Sequence, residues 1–437
     1  MLPDDREMNT ARKTFLNVSS FQVLVMFRRG LFYSYLSIYL RFFLGLSVTE
    51  TTLFATFSMI VNVVFQSFVW GRVSDKLQLR RTLIIIGEIL AAIITFLVWV
   101  IHTIPDSTRV AGWAIIVGMS VVEIFWSMSN LGWTALLSDL YPEKERAGLQ
   151  GKLQSVGAIG RIVGVWIGGV LYDGLSQHYD GWGFDQGSLF FIASGVMLIS
   201  SIPMFFVPEG GVASKPVTGD ASLKDLKRSS DNNSGMSKQF LLFLLAMLFY
   251  NFGLNSVTLL KSQYLTLADG FNVSSHTLSY ILNMGSVAMF AIGLAVKRLS
   301  DRFTDESLLI TSTLLAIVHL FIFVFAERLL TIYASEAIGG IARGLGMASA
   351  YAYVSRLIPA SKRGRLFAWF NATMFLSWGL PGTIITGPLA DYLIASGHTQ
   401  AFSYQMTFLT ASAMVLVSTA VLLYLAKIGR GELPGEE

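Results

Sequence analysis

The 437-residue chain has no cysteine, only five histidines and ten prolines, and 14% charged residues. Without cysteine there is neither a disulfide framework nor a thiolate metal site. The histidines stand singly and offer no metal-ligand spacing, so neither a metal nor another cofactor is expected. A soluble chain carries about a quarter charged residues, and this one has too few to face water over its whole surface. No phosphate-binding P-loop, HExxH or nucleophile elbow stands in a plausible context. ATP-driven work and hydrolysis are therefore not expected, and the chain reads as a non-enzyme. The net charge of +4 and pI near 9.1 come from bases scattered through short loops. No long basic block exists, so a nucleic-acid partner is not expected. Residues 1–13 mix acids and bases and lack the basic-then-apolar order of a cleaved leader, so the first apolar run reads as a permanent helix.

In place of charge the chain has 53% apolar residues and a mean hydropathy of +0.58. Windows of about 20 predominantly apolar residues predict helices near 18–44, 52–70, 82–103, 110–136, 151–173 and 188–207, then 239–265, 275–296, 307–326, 329–355, 364–391 and 402–426. The expected class is an all-α polytopic membrane protein with twelve transmembrane helices. A Gly-, Ser-, Asn- and Lys-rich stretch has no apolar run and reads as a flexible linker. The expected domains are a six-helix half over 1–207, a cytoplasmic linker over 208–237 and a second six-helix half over 238–437.

Lys and Arg concentrate in alternate loops, which stay cytoplasmic. With both termini inside, the inner segments hold twenty-four bases and the outer loops only Arg109 and Arg328. Two short charged turns then face the cytoplasm: Gly71 to Arg81 (GRVSDKLQLRR) and Lys297 to Ser307 (KRLSDRFTDES).

The halves repeat at a nearly constant offset. Gly45 matches Gly270 at 225, Asp75 matches Asp301 at 226, Pro142 matches Pro359 and Arg146 matches Arg363 at 217, and Asp173 matches Asp391 at 218. Parallel six-helix repeats imply a pseudo-two-fold axis along the membrane normal and a substrate path near mid-depth. In this pattern, and in the Gly-xxx-Asp-base-xx-base shape of its first turn, the chain resembles the major facilitator superfamily (MFS) of transporters over essentially its whole length. The resemblance implies alternating access by a secondary transporter. It also implies a gating role for Gly71, Asp75, Lys76 and Arg80, with Asp301 and Arg302 in the second copy. Gln78 stands where the family usually has Gly, and Leu79 where it usually has a base. The alternative for these turns is a charge signal that only enforces topology.

Charges at the centre of a spanning helix cost roughly 2.5 to 3.5 kcal/mol each on insertion scales, so they face protein or water and mark function. The bases are Arg28, Arg29, Arg41, Arg161, Lys261 and Arg343, and the acids are Glu88, Glu123 and Glu336. Arg41 lies close to an outer end and can snorkel. At about 100° per residue, Gln22, Arg29, Tyr33 and Ser37 share one stripe of the first helix, while Arg28, Tyr35 and Tyr39 share another. Asn251, Asn255, Thr258 and Ser262 make a polar stripe on the seventh helix beside Lys261. The substrate-binding candidates are Arg28, Arg29, Tyr33, Arg161, Asn255, Lys261 and Arg343. The proton-coupling candidates are Glu88, Glu123 and Glu336. The competing reading makes these charges structural ion pairs.

The arginine that the family associates with proton coupling belongs on the fourth helix; here Trp126 aligns with Arg343 at offset 217. The fifth-helix Gly-Pro of its antiporters is missing, since Arg161 follows Gly160. Gly157, Gly160, Gly164 and Gly168 line one face and suit close helix packing, and Leu380-Pro381-Gly382 predicts a kink.

The excess of bases favours a small organic anion as substrate, with a proton or counter-ion moving as well. The alternatives are a multidrug exporter and, in another class, a non-transporting receptor or assembly subunit. The expected setting is the bilayer of a prokaryotic inner membrane, and the expected state a monomer.

Overall fold

The computed structural model describes residues 5–141, 143–211, 237–358 and 363–431. Most of the expected linker, and Pro142 and Pro359 of the repeat, lie outside the described residues. No strand occurs among the described residues, as expected where every backbone N–H and C=O must be satisfied within its own segment.

All twelve predicted spans fall on helices. The first six are α1 (Asp5–Ile38), α2 (Val48–Val64), which runs through a π-helical turn at Phe65–Trp70 into α3 (Gly71–Leu77), α4 (Arg80–His102), α5 (Thr108–Leu140), α6 (Glu143–Tyr172) and, after the short α7 (Trp182–Asp185), α8 (Ser188–Met204). The remainder are α9 (Lys238–Ser256) with α10 (Thr258–Thr266), α11 (Ser275–Ser300), α12 (Asp305–Phe325), α13 (Leu329–Leu357), α14 (Arg363–Ser377) with α15 (Gly387–Ala395), and α16 (Gln400–Gly431). Eight stretches among the described residues are long and apolar enough to cross a bilayer. The α1 and α13 helices, which carry Arg28, Arg29, Glu336 and Arg343, are not among them. The predicted kink is present: α14 ends at Ser377, and a π-helical turn occupies Gly382–Thr386, where Pro381 lacks an N–H for the helical ladder.

The chain forms two compact units, one of residues 1–215 with Leu259–Asn283 and the other of 216–258 with 284–437. In the first unit α1 packs along α6 and α8, and α4 along α5 and α8. The glycine face of α6 explains the closest of these contacts. A Cβ on Gly160 would overlap the Val23 carbonyl, and one on Gly164 the Phe27 carbonyl, so only hydrogen lets the two backbones approach this far.

The segment Leu259–Asn283 is fastened to this unit by polar contacts. Gln263, fully buried, donates from Nε2 to Ser37 O at 3.2 Å and Thr51 Oγ1 at 2.9 Å. Ser275 Oγ donates to Gly169 O at 2.7 Å and Asp173 Oδ2 at 3.2 Å. In the second unit α12 packs on α13 and α16, and α9 on α16 and α14.

Candidate functional site

Four helices of the first unit meet around Trp126. On α4, Gly87 lets the backbone close on α5: a Cβ there would sit 2.7 Å from Phe125 O and 2.9 Å from Ser129 N. The next residue, Glu88, therefore reaches across, accepting from Ser129 Oγ at 2.8 Å and from Arg28 Nη1 at 3.2 Å. Both ends of this ion pair are sealed, at 1% exposure for Arg28 and 0% for Glu88. The Arg28 Nε and Nη2 donors are buried without an acceptor. Its guanidinium carbon instead lies 4.1 Å from the Trp126 ring centroid. Arg28 was grouped with the substrate-binding set; its burial and its carboxylate partner are those of the structural-pair alternative.

Arg29 differs. It is half-buried, its guanidinium carbon lies 4.6 Å from the same ring, and it makes no ion pair among the described residues. Tyr33, one turn on, stacks near Trp126 with centroids 6.0 Å apart and planes at 18°. Glu123 lies one turn before Trp126 and accepts from Asn62 Nδ2 at 2.5 Å. The two stripes expected on α1 are thus distinct in the structure. Arg28, Tyr35 and Tyr39 are buried inside the bundle, whereas Gln22, Arg29 and Tyr33 of the other stripe are partly open and its fourth member, Ser37, is buried. Chemically the site is an aromatic plate carrying two adjacent cations, of which one has a carboxylate and the other has none among the described residues.

The charged turn at 71–81 is mostly helical, ending in a left-handed residue at Gln78 (φ 55°, ψ 25°). Gln78 therefore takes the conformation that a Gly would take more easily, and secures it by donating from Nε2 to Asp75 O at 2.8 Å. Arg80 is the hub. It donates to Ser74 O at 2.6 Å, to Ser74 Oγ, to Gln78 Oε1 at 3.2 Å and to Asp139 Oδ2 at 3.4 Å. Asp139 also accepts from Gly211 N at 2.9 Å. Glu209 takes the Arg81 guanidinium at 3.0 Å and Thr82 N at 2.9 Å, capping the first turn of α4. Asp75, expected as the latch, is 83% exposed, and Arg80 at 3.9 Å is its ion-pair partner within this unit. Lys76 is exposed and Gly71 lies within continuous helix.

A left-handed non-Gly residue costs roughly 1 to 2 kcal/mol, which the side-chain bond partly offsets. Gln78→Gly should therefore hold the thermal midpoint within a few degrees of wild type. Gln78→Val, branched at Cβ, should lower it clearly and weaken transport. Equal midpoints for the two variants would contradict this account of the turn.

The second unit repeats the Arg80–Asp139 pair with its charges exchanged. Arg356 stands 217 beyond Asp139, and Asp305 stands 225 beyond Arg80; these two pair at 2.5 Å. Asp301 and Arg302 are exposed. Asn255 donates to Ser377 Oγ at 2.6 Å, Glu336 is buried at 2% exposure, and Arg343 is half-buried on α13. These residues belong to the second unit. In the first, Lys261 is buried at 5% exposure and Arg161 is exposed. Arg41 donates from Nη1 to Leu46 O at 2.7 Å, tying down the loop before α2. Trp126, Asn62, Asp139 and Glu209 were not singled out for these roles. Among them, only the placement of Trp126 opposite Arg343 in the repeat gave a signal.

The model of the MFS_1 like family matches residues 17–423. No curated protein matches the chain. Among solved structures, a bacterial homolog of the human lysosomal transporter Spinster is similar with a TM-score of 0.73 at 13% identity, over 98% of this chain and 99% of that one. The nucleoside transporter NupG is similar with a TM-score of 0.69 at 13% identity, over 95% and 99%. A D-xylose-proton symporter gives 0.68 at 16% identity, over 94% and 97%.

Proposed function

The chain belongs to the MFS_1 like family, and from that premise we propose that this integral membrane transporter moves a small organic anion by alternating access, coupled to a proton or counter-ion. One observation carries the reading: Arg29 is a half-buried guanidinium on α1 that rests on an aromatic ring and makes no ion pair among the described residues. A cation left so at membrane depth is costly, and an arriving carboxylate or phosphate would take its planar fork in two parallel hydrogen bonds. Tyr33 and Lys261 are the further binding candidates of the first unit and Asn255 and Arg343 those of the second, with Glu123 and Glu336 the candidate proton carriers of each. Glu88 serves first as the partner of Arg28. Asp75, Lys76 and Arg80 would gate the cytoplasmic side in an inner membrane of bacterial type, with both termini inside.

The test is uptake of radiolabelled citrate, succinate and benzoate into proteoliposomes under an imposed proton gradient. A hydrogen bond to a charged group contributes about 1.5 to 3 kcal/mol, so Arg29→Gln should lower uptake about tenfold or more. Arg41→Gln should leave it within about twofold, since Arg41 is engaged with the Leu46 carbonyl. Gradient-driven uptake of lipophilic cations but of no anion would favour the multidrug exporter, and no uptake of either class the receptor alternative.

A further inference from the structure

We infer that Trp126 is a positioning residue for the anion: its ring occupies the place of a counter-ion and keeps Arg29 charged, ordered and open for ligand. The inference rests on the anion reading above and deepens it.

Two adjacent guanidinium groups, on Arg28 and Arg29, lie 4.1 Å and 4.6 Å from one indole centroid. Cations at these distances are attracted by the electron-rich face, most strongly by Trp. The ring differs from a carboxylate in one respect that matters here. It lowers the energy of the cation without occupying the N–H donors, so the fork remains available to an incoming carboxylate or phosphate. Arg28 illustrates the first half of this: beside the ring, its Nε and Nη2 have no acceptor among the described residues although the residue is 1% exposed. Tyr33, nearly parallel to the indole, and buried packing that leaves Trp126 6% exposed hold the plate in place.

The carboxylate that would otherwise serve is close by. Glu123 precedes Trp126 by three residues on α5 and so shares its face. At present it is engaged with Asn62. With the ring removed, Arg29 would turn to Glu123 and close into an ion pair that competes with the anion. The repeat makes the same point from sequence, since Trp126 stands opposite Arg343. In the first unit the cations are supplied by α1 and the ring receives them.

The experiment measures ligand-induced thermal stabilisation of the purified protein in detergent, with citrate, benzoate and inorganic phosphate as separate probes. Trp126→Leu should weaken the apparent affinity about tenfold or more. Adding Glu123→Gln should restore most of it, because the competing carboxylate is gone; a purely structural role for Trp126 would give no such rescue. Trp126→Phe, which keeps a weaker ring, should lose only a few-fold and be rescued in the same way. That second pair keeps the inference testable if the Leu variant does not fold. If wild type responds to an anion but Trp126→Leu responds equally, or if Glu123→Gln rescues neither variant, the counter-ion role of Trp126 is overturned and the anion reading stands. If wild type responds to no anion, both fall together.

Discussion

Glu88→Ala is expected to destabilise the protein by about 3 to 5 kcal/mol, the loss typical of stranding a buried charge by removing its partner. Arg28 would keep one ring contact and lose its carboxylate, 3.2 Å away at 0% exposure. Ser129 Oγ would also lose its acceptor. Thermal unfolding in detergent should show the largest midpoint fall of any single charge-removing variant in α1, α4 or α5. The double variant Arg28→Met, Glu88→Met should recover most of the loss, because replacing both ends of a buried pair by apolar side chains is often neutral. A Glu88→Ala midpoint close to wild type would mean that water or another group reaches Arg28 there. The same variants bear on coupling. If Glu88→Gln folds and still accumulates substrate against a proton gradient, Glu88 is a structural partner and Glu123 becomes the candidate carrier of the first unit.

Gly164→Val should be comparably damaging, for a steric reason. The first carbon of any side chain at 164 would overlap the Phe27 carbonyl of α1. Forcing extra atoms into a packed contact costs typically 1 to 3 kcal/mol, occasionally more, and here the obstacle is backbone that cannot rotate away. Phe27 immediately precedes Arg28 and Arg29, so α1 would be displaced at the residues that carry the cations. Both folded yield and anion response should therefore fall, whereas Gly151→Val, with nothing near its Cβ position, should behave like wild type. Equal yield and equal transport for the two valine variants would overturn this account of the α1–α6 contact.

Much of this protein was legible from one-dimensional pattern because a bilayer imposes one. Spans of about 20 apolar residues, the alternation of Lys- and Arg-rich loops, and the 217- to 226-residue offset of the repeat led to twelve helices, each of which falls on a helix in the structure. Helical periodicity likewise divided α1 into the stripe of Arg28, Tyr35 and Tyr39, now buried, and the stripe of Gln22, Arg29, Tyr33 and Ser37, of which all but the buried Ser37 are partly open. The glycine face of α6 was readable as close packing because no other residue type tolerates it.

Partnership was decided only in three dimensions. That Glu88 belongs to Arg28 is a contact between α4 and α1 at positions 60 residues apart, while Gly87 brings the same carboxylate to Ser129 on α5. The repeat set Trp126 against Arg343, but nothing in the sequence says that its ring receives two cations from α1. How Gln78 fills a position where the family usually has Gly rests on a backbone angle and a side-chain bond that composition does not contain. Spacing along the chain sets which residues share a face of one helix; which faces meet depends on packing between helices, where small residues, ring faces and unpaired donors select among many partners that the same sequence pattern allows.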